Sequence, residues 1–228
     1  MNILIIETAT EACSVALQVD GKQYSLFEVC PQQHSQRILP MVDQVLKQAD
    51  CKLQDLDYLG FGRGPGSFTG VRIATGILQG LALGTGLKVV GVSTLAAMAQ
   101  QAAEQHNVSQ VFSAIDARMS EVYFAQYEIQ NGVMQLVGEE QVLPPESAQS
   151  LIKISENSIG VGTGWTAYPE LNADKTLAIA ADILYPDAKY MLAIAEANIA
   201  DGKAVEVEEV TPVYLRDKVT WKKLPGRE

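Results

Sequence analysis

The chain has 228 residues, 47% of them hydrophobic and 19% charged, with a formal net charge of −10. That is enough apolar material for two small domains or one large one, and it rules out a disordered chain. The acidic balance argues against a free-standing nucleic-acid binder, though not against a subunit of a complex that handles nucleic acid.

The opening residues carry no basic run before a short apolar stretch, so they read as a strand and not as a signal peptide. Val71 to Val92 is the longest stretch of low charge. It is cut by glycines and holds Arg72 and Lys88, so no membrane span is expected. Three cysteines (Cys13, Cys30, Cys51) without close spacing fit a reducing compartment. Two separated histidines, His34 and His106, are too few for a histidine metal site.

Ile3 to Ile6 is an uninterrupted apolar run, the pattern of a strand buried on both faces. Cys13, Val15, Leu17 and Val19 alternate with more polar residues and predict a half-buried strand. Asp20-Gly21 is a tight-turn signal, and Gln23 to Val29 follows as a third strand. Ser35 to Ala49 predicts a helix, with Ile38, Met41, Val42, Val45, Leu46 and Ala49 on one stripe and Pro40 inside it. His34 precedes it as a cap or core-edge residue.

A glycine-rich stretch, Gly60 to Gly84, comes next. An apolar strand end (Tyr58, Leu59, Phe61) runs into a turn, Gly62-Arg63-Gly64-Pro65-Gly66, and then a helix capped by Ser67 or Thr69. Such a turn aims backbone N–H groups and a helix N-terminus at one spot, which suits an anion. Glu7, Arg63, Gly64, Gly66 and Arg72 are the candidate anion or nucleotide contacts. The known phosphate loops are not matched: there is no Gly-Lys-Ser/Thr, and the third dinucleotide glycine is displaced to Gly70. Pro65 also breaks a Gly-x-Ser-x-Gly elbow at Ser67. The helix carries Gly76, Gly80 and Gly84 on one face, each costing about 1 kcal/mol relative to alanine. Either they allow close packing inside the chain's own domain, or they form a helix–helix seam with another chain.

Leu87 to Val92 is a further strand, and Ser93 caps a helix from Thr94 to about Gln105. Strands alternating with helices imply parallel pairing through crossovers. Near Asn107 the pattern restarts. Val111 to Ile115 is a strand, Asp116-Ala117-Arg118 a turn, Glu121 to Ile129 a strand, Asn131-Gly132 a tight turn, and Val133 to Val137 a strand. Ile6-Glu7 and Ile115-Asp116 each place an acid at the end of a first strand, a weak duplication of the opening meander. Asp116 itself reads as a partner of Arg118 or a turn cap. Pro144-Pro145-Glu146 starts a helix. Ile159 to Trp165 is a strand entering a glycine turn. Pro186 to Ala200 predicts a long final helix closed by Asp201-Gly202, and Pro212 to Arg216 is extended. Residues 216–228 form a locally basic tail, read as solvated or, alternatively, as a contact to RNA or an acidic partner.

The two halves, expected as lobes 1–106 and 107–228, resemble the α/β actin-like ATPase (ribonuclease H-like) fold, with a mixed sheet and flanking helices in each lobe. The motifs narrow this. Ile5-Ile6-Glu7-Thr8 with Ser14-Val15-Ala16-Leu17, His34-Ser35 with Leu39-Pro40, and the run from Gly62 to Arg72 resemble the bacterial TsaB (YeaZ) family. Asp116-Ala117-Arg118 with Glu121-Val122-Tyr123, and Pro212 to Arg216, agree with it.

The resemblance implies an accessory subunit in threonylcarbamoyl transfer to the tRNA adenosine next to the anticodon. TsaB proteins share the fold of the transferase TsaD but lack its active site. The partners implied are TsaD, in a heterodimer, and the ATPase TsaE. tRNA would be reached only through the complex, and the chain alone would homodimerise. The location implied is cytoplasmic. The expected interface is Ile38, Met41 and Val45 with Ile73, Gly76, Gly80 and Gly84. No tightly bound cofactor is implied; between the accessory and the enzymatic readings stands nucleotide binding without turnover, with ATP or ADP at the subunit interface. Aligning Val89 to Val92 with the corresponding TsaD strand puts Thr94 and Met98 at the positions of its two metal-binding histidines, and neither suits that metal. Glu7 replaces the family's usual aspartate. The competing reading is a stand-alone actin-fold ATPase or peptidase-like hydrolase, for which the sequence supplies no set of base, nucleophile and oxyanion donors.

Overall fold

The computed structural model describes residues 1–216. The first half runs β1 (Ile3–Glu7), β2 (Ala12–Val19), β3 (Lys22–Val29), α1 (His34–Gln48), β4 (Tyr58–Gly64), α2 (Phe68–Thr85), β5 (Lys88–Ser93) and α3 (Thr94–His106). The second runs β6 (Gln110–Asp116), β7 (Val122–Gln130), β8 (Val133–Leu143), α4 (Pro145–Leu151), β9 (Ser158–Val161), α5 (Gly164–Ala167), β10 (Ala178–Ile179) and α6 (Met191–Ala200). The first sheet has the order β3-β2-β1-β4-β5 and the second β8-β7-β6-β9-β10. In each, the first strand is antiparallel to the second and parallel to the fourth, and the fourth is parallel to the fifth. The duplication therefore extends from the meander to the topology of both sheets.

Local chemistry explains much of this. Asp20-Gly21 and Asn131-Gly132 both take positive φ at two successive residues, as tight hairpin turns between right-twisted strands require. Ser67 caps α2, its hydroxyl accepting from the Gly70 N–H at 3.4 Å, and Ser93 caps α3 through the Ala96 N–H at 3.2 Å. Gly86, with φ +73, ends α2.

Several elements differ from expectation. β2 is not half-buried: Ala12 to Leu17 are all buried, because α1 covers one face and the segment around Ala188–Tyr190 covers the other. β4 continues through Gly62 and Arg63 to Gly64, with an irregularity in its pairing to β5, so the turn proper is only Pro65 to Ser67. β8 runs six residues past Val137, to Leu143, with Gly138 at φ +80. The stretch expected as one helix from Pro186 is a short 3-10 turn, Ala188–Tyr190, followed by α6. Most of the basic tail, residues 217–228, lies outside the described residues.

One apolar cluster lies between the sheets and joins them. It brings Ile3, Ile5, Val90 and Val92 of the first sheet together with α3, α6, Val111, Ile115 and Tyr127. A second lies on the far side of the first sheet under α1 and α2. After α6 the chain returns along the first lobe. Val205 bridges to Val89, the Gln79 amide donates to the Val210 carbonyl at 3.3 Å, and the Val213 N–H donates to the Arg63 carbonyl at 2.7 Å.

Candidate functional site

The glycine turn is filled by the chain itself. A Cβ on Gly62 would fall inside the Glu7 carboxylate, one on Gly66 would strike the Ala9 carbonyl, and one on Gly70 would strike that of Thr8. The Ser67 N–H donates to the Ala9 carbonyl at 2.7 Å, and the Thr8 hydroxyl to the Gly70 carbonyl at 2.7 Å. These glycines thus let the loop after β1 press onto the start of α2. The Ser67 N–H, at the N-cap of α2, is thereby turned to that loop.

Glu7 is completely buried. It accepts hydrogen bonds from the Ala9 N–H and, at 3.3 Å, from the Thr94 hydroxyl. Burial pushes its carboxyl up from 4.5 to about 7, against the opposing pull of those hydrogen bonds. No cation faces it among the described ion pairs.

The other expected anion contacts do not converge. Arg63 pairs with Glu140 at 3.1 Å. Arg72 stacks on the Phe68 ring, 3.5 Å from its centroid, and donates from Nε to the Tyr214 hydroxyl at 2.9 Å. Gly64 takes φ +94, where the Val213 carbonyl lies 2.9 Å from the position of a Cβ. The structure therefore gives Glu7, Arg63, Gly64, Gly66 and Arg72 separate partners within the chain and does not assemble them around a common ligand.

The helix faces separate cleanly. Gly76, Gly80 and Gly84 are exposed, and a Cβ on any of them would meet nothing within 4 Å. Close packing within the chain, one of the two readings of this stripe, is overturned among the described residues. Leu83 is 71% exposed and Phe68 57%, while Ile73 is half-buried. Ile38, Met41 and Val45 correct the expected interface: all three are buried with Ala74, Leu78 and Ala82 of α2. The amphipathic stripe of α1 is used up on its own sheet, and the helix exposes Leu39 instead. The exposed Phe68, Leu83 and Tyr214 were not singled out from the sequence. An apolar residue beside a glycine stripe was the available signal, since such a stripe cannot itself form a core.

At the second lobe, Asp116 caps its turn as expected. It accepts from the Arg118 N–H at 2.8 Å and from the Tyr168 hydroxyl at 2.9 Å, and it pairs with the Arg118 guanidinium at 3.0 Å. Thr94 is buried against Glu7, and Met98 is buried in the inter-sheet core. Among the described residues no group of three or more His, Cys, Asp or Glu side chains could hold a metal ion. His34 is the first residue of α1 and is buried, its Nε2 without a hydrogen-bond partner among the described residues. No described helix is long and apolar enough to cross a membrane.

Comparison with known proteins agrees with this architecture. Residues 28–224 match the family model of TsaD, tRNA N6-adenosine threonylcarbamoyltransferase. The tRNA threonylcarbamoyladenosine biosynthesis protein TsaB of Escherichia coli is 51% identical, and each chain is covered in full. The protein of that name from Haemophilus influenzae is 45% identical over 100% of this chain and 99% of its own. The structure of YeaZ from Pseudomonas aeruginosa superposes with a TM-score of 0.84 at 43% identity, covering 94% of this chain and 99% of that one.

Proposed function

Because this chain belongs to the TsaB family of tRNA threonylcarbamoyladenosine biosynthesis proteins, we propose that it is the non-catalytic subunit that docks on TsaD. The observation that carries the reading is the open face of α2. Three exposed glycines, with Leu83 beside them and Phe68 exposed at the start of the same helix, leave an open strip where another backbone can approach closely. Nothing in the described chain covers that strip, and each glycine there weakens the isolated helix. The revised docking face is Ile73, Gly76, Gly80 and Gly84 with Phe68 and Leu83; the buried α1 residues are dropped from it.

A scaffold role also fits the interior. Thr94 and Met98 stand where the resemblance places the metal-binding histidines of TsaD, and both are occupied in core contacts. The loop after β1 fills the glycine turn that a nucleotide-hydrolysing reading would need empty. In the proposed arrangement TsaE joins the pair, tRNA is reached through the complex, the subunit homodimerises through the α2 face when alone, and the assembly works in the cytoplasm.

The test is threonylcarbamoyl incorporation into tRNA by the reconstituted components, with and without this chain. Incorporation that requires the chain, with none when it replaces TsaD, is the expected result. Incorporation unaffected by its omission would overturn the accessory role. Gly80→Leu separates the docking face from the role itself: the variant is expected to fold and to lose co-elution with TsaD. Retained co-elution would place the seam elsewhere.

A further inference from the structure

We infer that Arg63 and Glu140 are the bolt of a latch that locks the two lobes in one arrangement, so that this protein works as a single rigid body and not as a hinge. Two lobes of matching topology facing one another are the setting in which domain closure around a ligand takes place. The two sheets share no strand pair among the described residues; they are joined by the apolar cluster between them, by the backbone bonds of the returning segment to β4 and β5, and by polar side chains that cross from one to the other.

A directional chain of hydrogen bonds crosses from one lobe to the other. Arg63, on β4, donates from Nη2 to Glu140 Oε2 at 3.1 Å. The Tyr127 hydroxyl, on β7, donates to the other oxygen of Glu140 at 2.8 Å. Tyr127 has one proton, so in its 3.3 Å contact with Ser93 the serine is the donor. Ser93 Oγ in turn accepts from the Ala96 N–H at the start of α3. The chain thus joins β4, β5 and α3 of the first lobe to β7 and β8 of the second.

Ser93, Tyr127 and the Glu140 carboxylate are buried, Arg63 is partly exposed, and Glu140 accepts from both Arg63 and Tyr127. Tyr127 is 1% exposed, and the side chain of Glu140 is 6% exposed against 29% for Arg63. A carboxylate this enclosed needs its cation, and a half-satisfied network in such a place is worse than none. The backbone is shaped for the crossing. Gly91 on β5 leaves room for the Arg63 stem, whose Cβ and Cδ lie 3.3 Å from where a Gly91 Cβ would stand. The Val213 N–H fastens the Arg63 carbonyl from the other side. An arginine in a glycine turn, the residue type expected to reach for a phosphate, reaches across the lobes instead.

The test is amide hydrogen exchange on the full chain, comparing Arg63→Met, Glu140→Gln and the double variant. Lys88→Met, which breaks the exposed Lys88–Glu206 pair, is the control. Either latch variant is expected to speed exchange of the β5 and β7 amides by about tenfold or more, because removing one partner strands the other. The double variant should exceed neither single by more than about twofold, since both open the same lock. The control should leave these amides unchanged. Rates in Arg63→Met within about twofold of the parent, or effects that multiply in the double variant, would overturn the latch. Should Glu140→Gln fail to fold, Tyr127→Phe removes a single donor and is read by the same criterion. Added ATP with magnesium should leave the β4 and β5 amides as they were. Strong protection of them would overturn the rigid-body reading.

Discussion

Glu7 gives the sharpest quantitative test of how the interior is built. Its carboxyl titrates near 7 in the folded chain and near 4.5 when unfolded. Below about pH 4.5 both states hold the proton and nothing is lost. As pH rises through that value the unfolded state ionises first, and folding stability falls until the folded carboxyl also ionises near 7. The accumulated loss is about 3 kcal/mol, of which about 2 to 3 falls between about pH 5 and about pH 8.5. Glu7→Gln removes the titration while keeping an acceptor for the Ala9 N–H and gaining a donor for the Thr94 hydroxyl. Urea unfolding of parent and variant across that range is the assay. The expected result is a variant more stable by about 1 kcal/mol at the acid end and by about 3 kcal/mol at the alkaline end. Taking the difference between the two proteins cancels other titrating groups, including Asp187, which burial also pushes up. Parallel stability curves for parent and variant would refute the claim that Glu7 is buried without a cation.

Gly62→Ala should destabilise by about 2 to 3 kcal/mol, because its Cβ collides with the Glu7 carboxylate. Most of that should return in the double variant with Glu7→Ala, as thermal unfolding would show. Gly70→Ala meets the Thr8 backbone carbonyl instead, so Glu7→Ala should bring it no relief. Gly80→Ala is expected to stabilise the isolated chain by up to about 1 kcal/mol, since it meets nothing and improves the helix. A loss of stability in the monomer, measured below the concentration at which the chain self-associates, would mean that another part of the chain covers the α2 face.

Periodicity and turn chemistry, both local in the sequence, determined most of the elements. The apolar run Ile3–Ile6, the Asp20-Gly21 and Asn131-Gly132 turns, the Ser67 and Ser93 caps and the strand–helix alternation each follow from residues within a few positions of one another. The Asp116–Arg118 contact was legible for the same reason: the two residues lie two positions apart in one turn. The family motifs, spread along the chain, pointed to the fold and the pathway.

What each polar side chain reaches was decided by the tertiary structure. Arg63 meets Glu140 77 residues away, Glu7 meets Thr94 87 away, and Arg72 meets Tyr214 142 away. No local pattern encodes such meetings, because they depend on how two sheets and a returning C-terminal segment pack together. The helices show the same division. A stripe of apolar residues at helical spacing marks a face for burial without saying whether its own sheet or a partner buries it. The sheet claims Ile38, Met41 and Val45 because α1 is the crossover between β3 and β4 and must lie on it. The glycines of α2 point away from that sheet, and only the fold shows that nothing in the described chain reaches them.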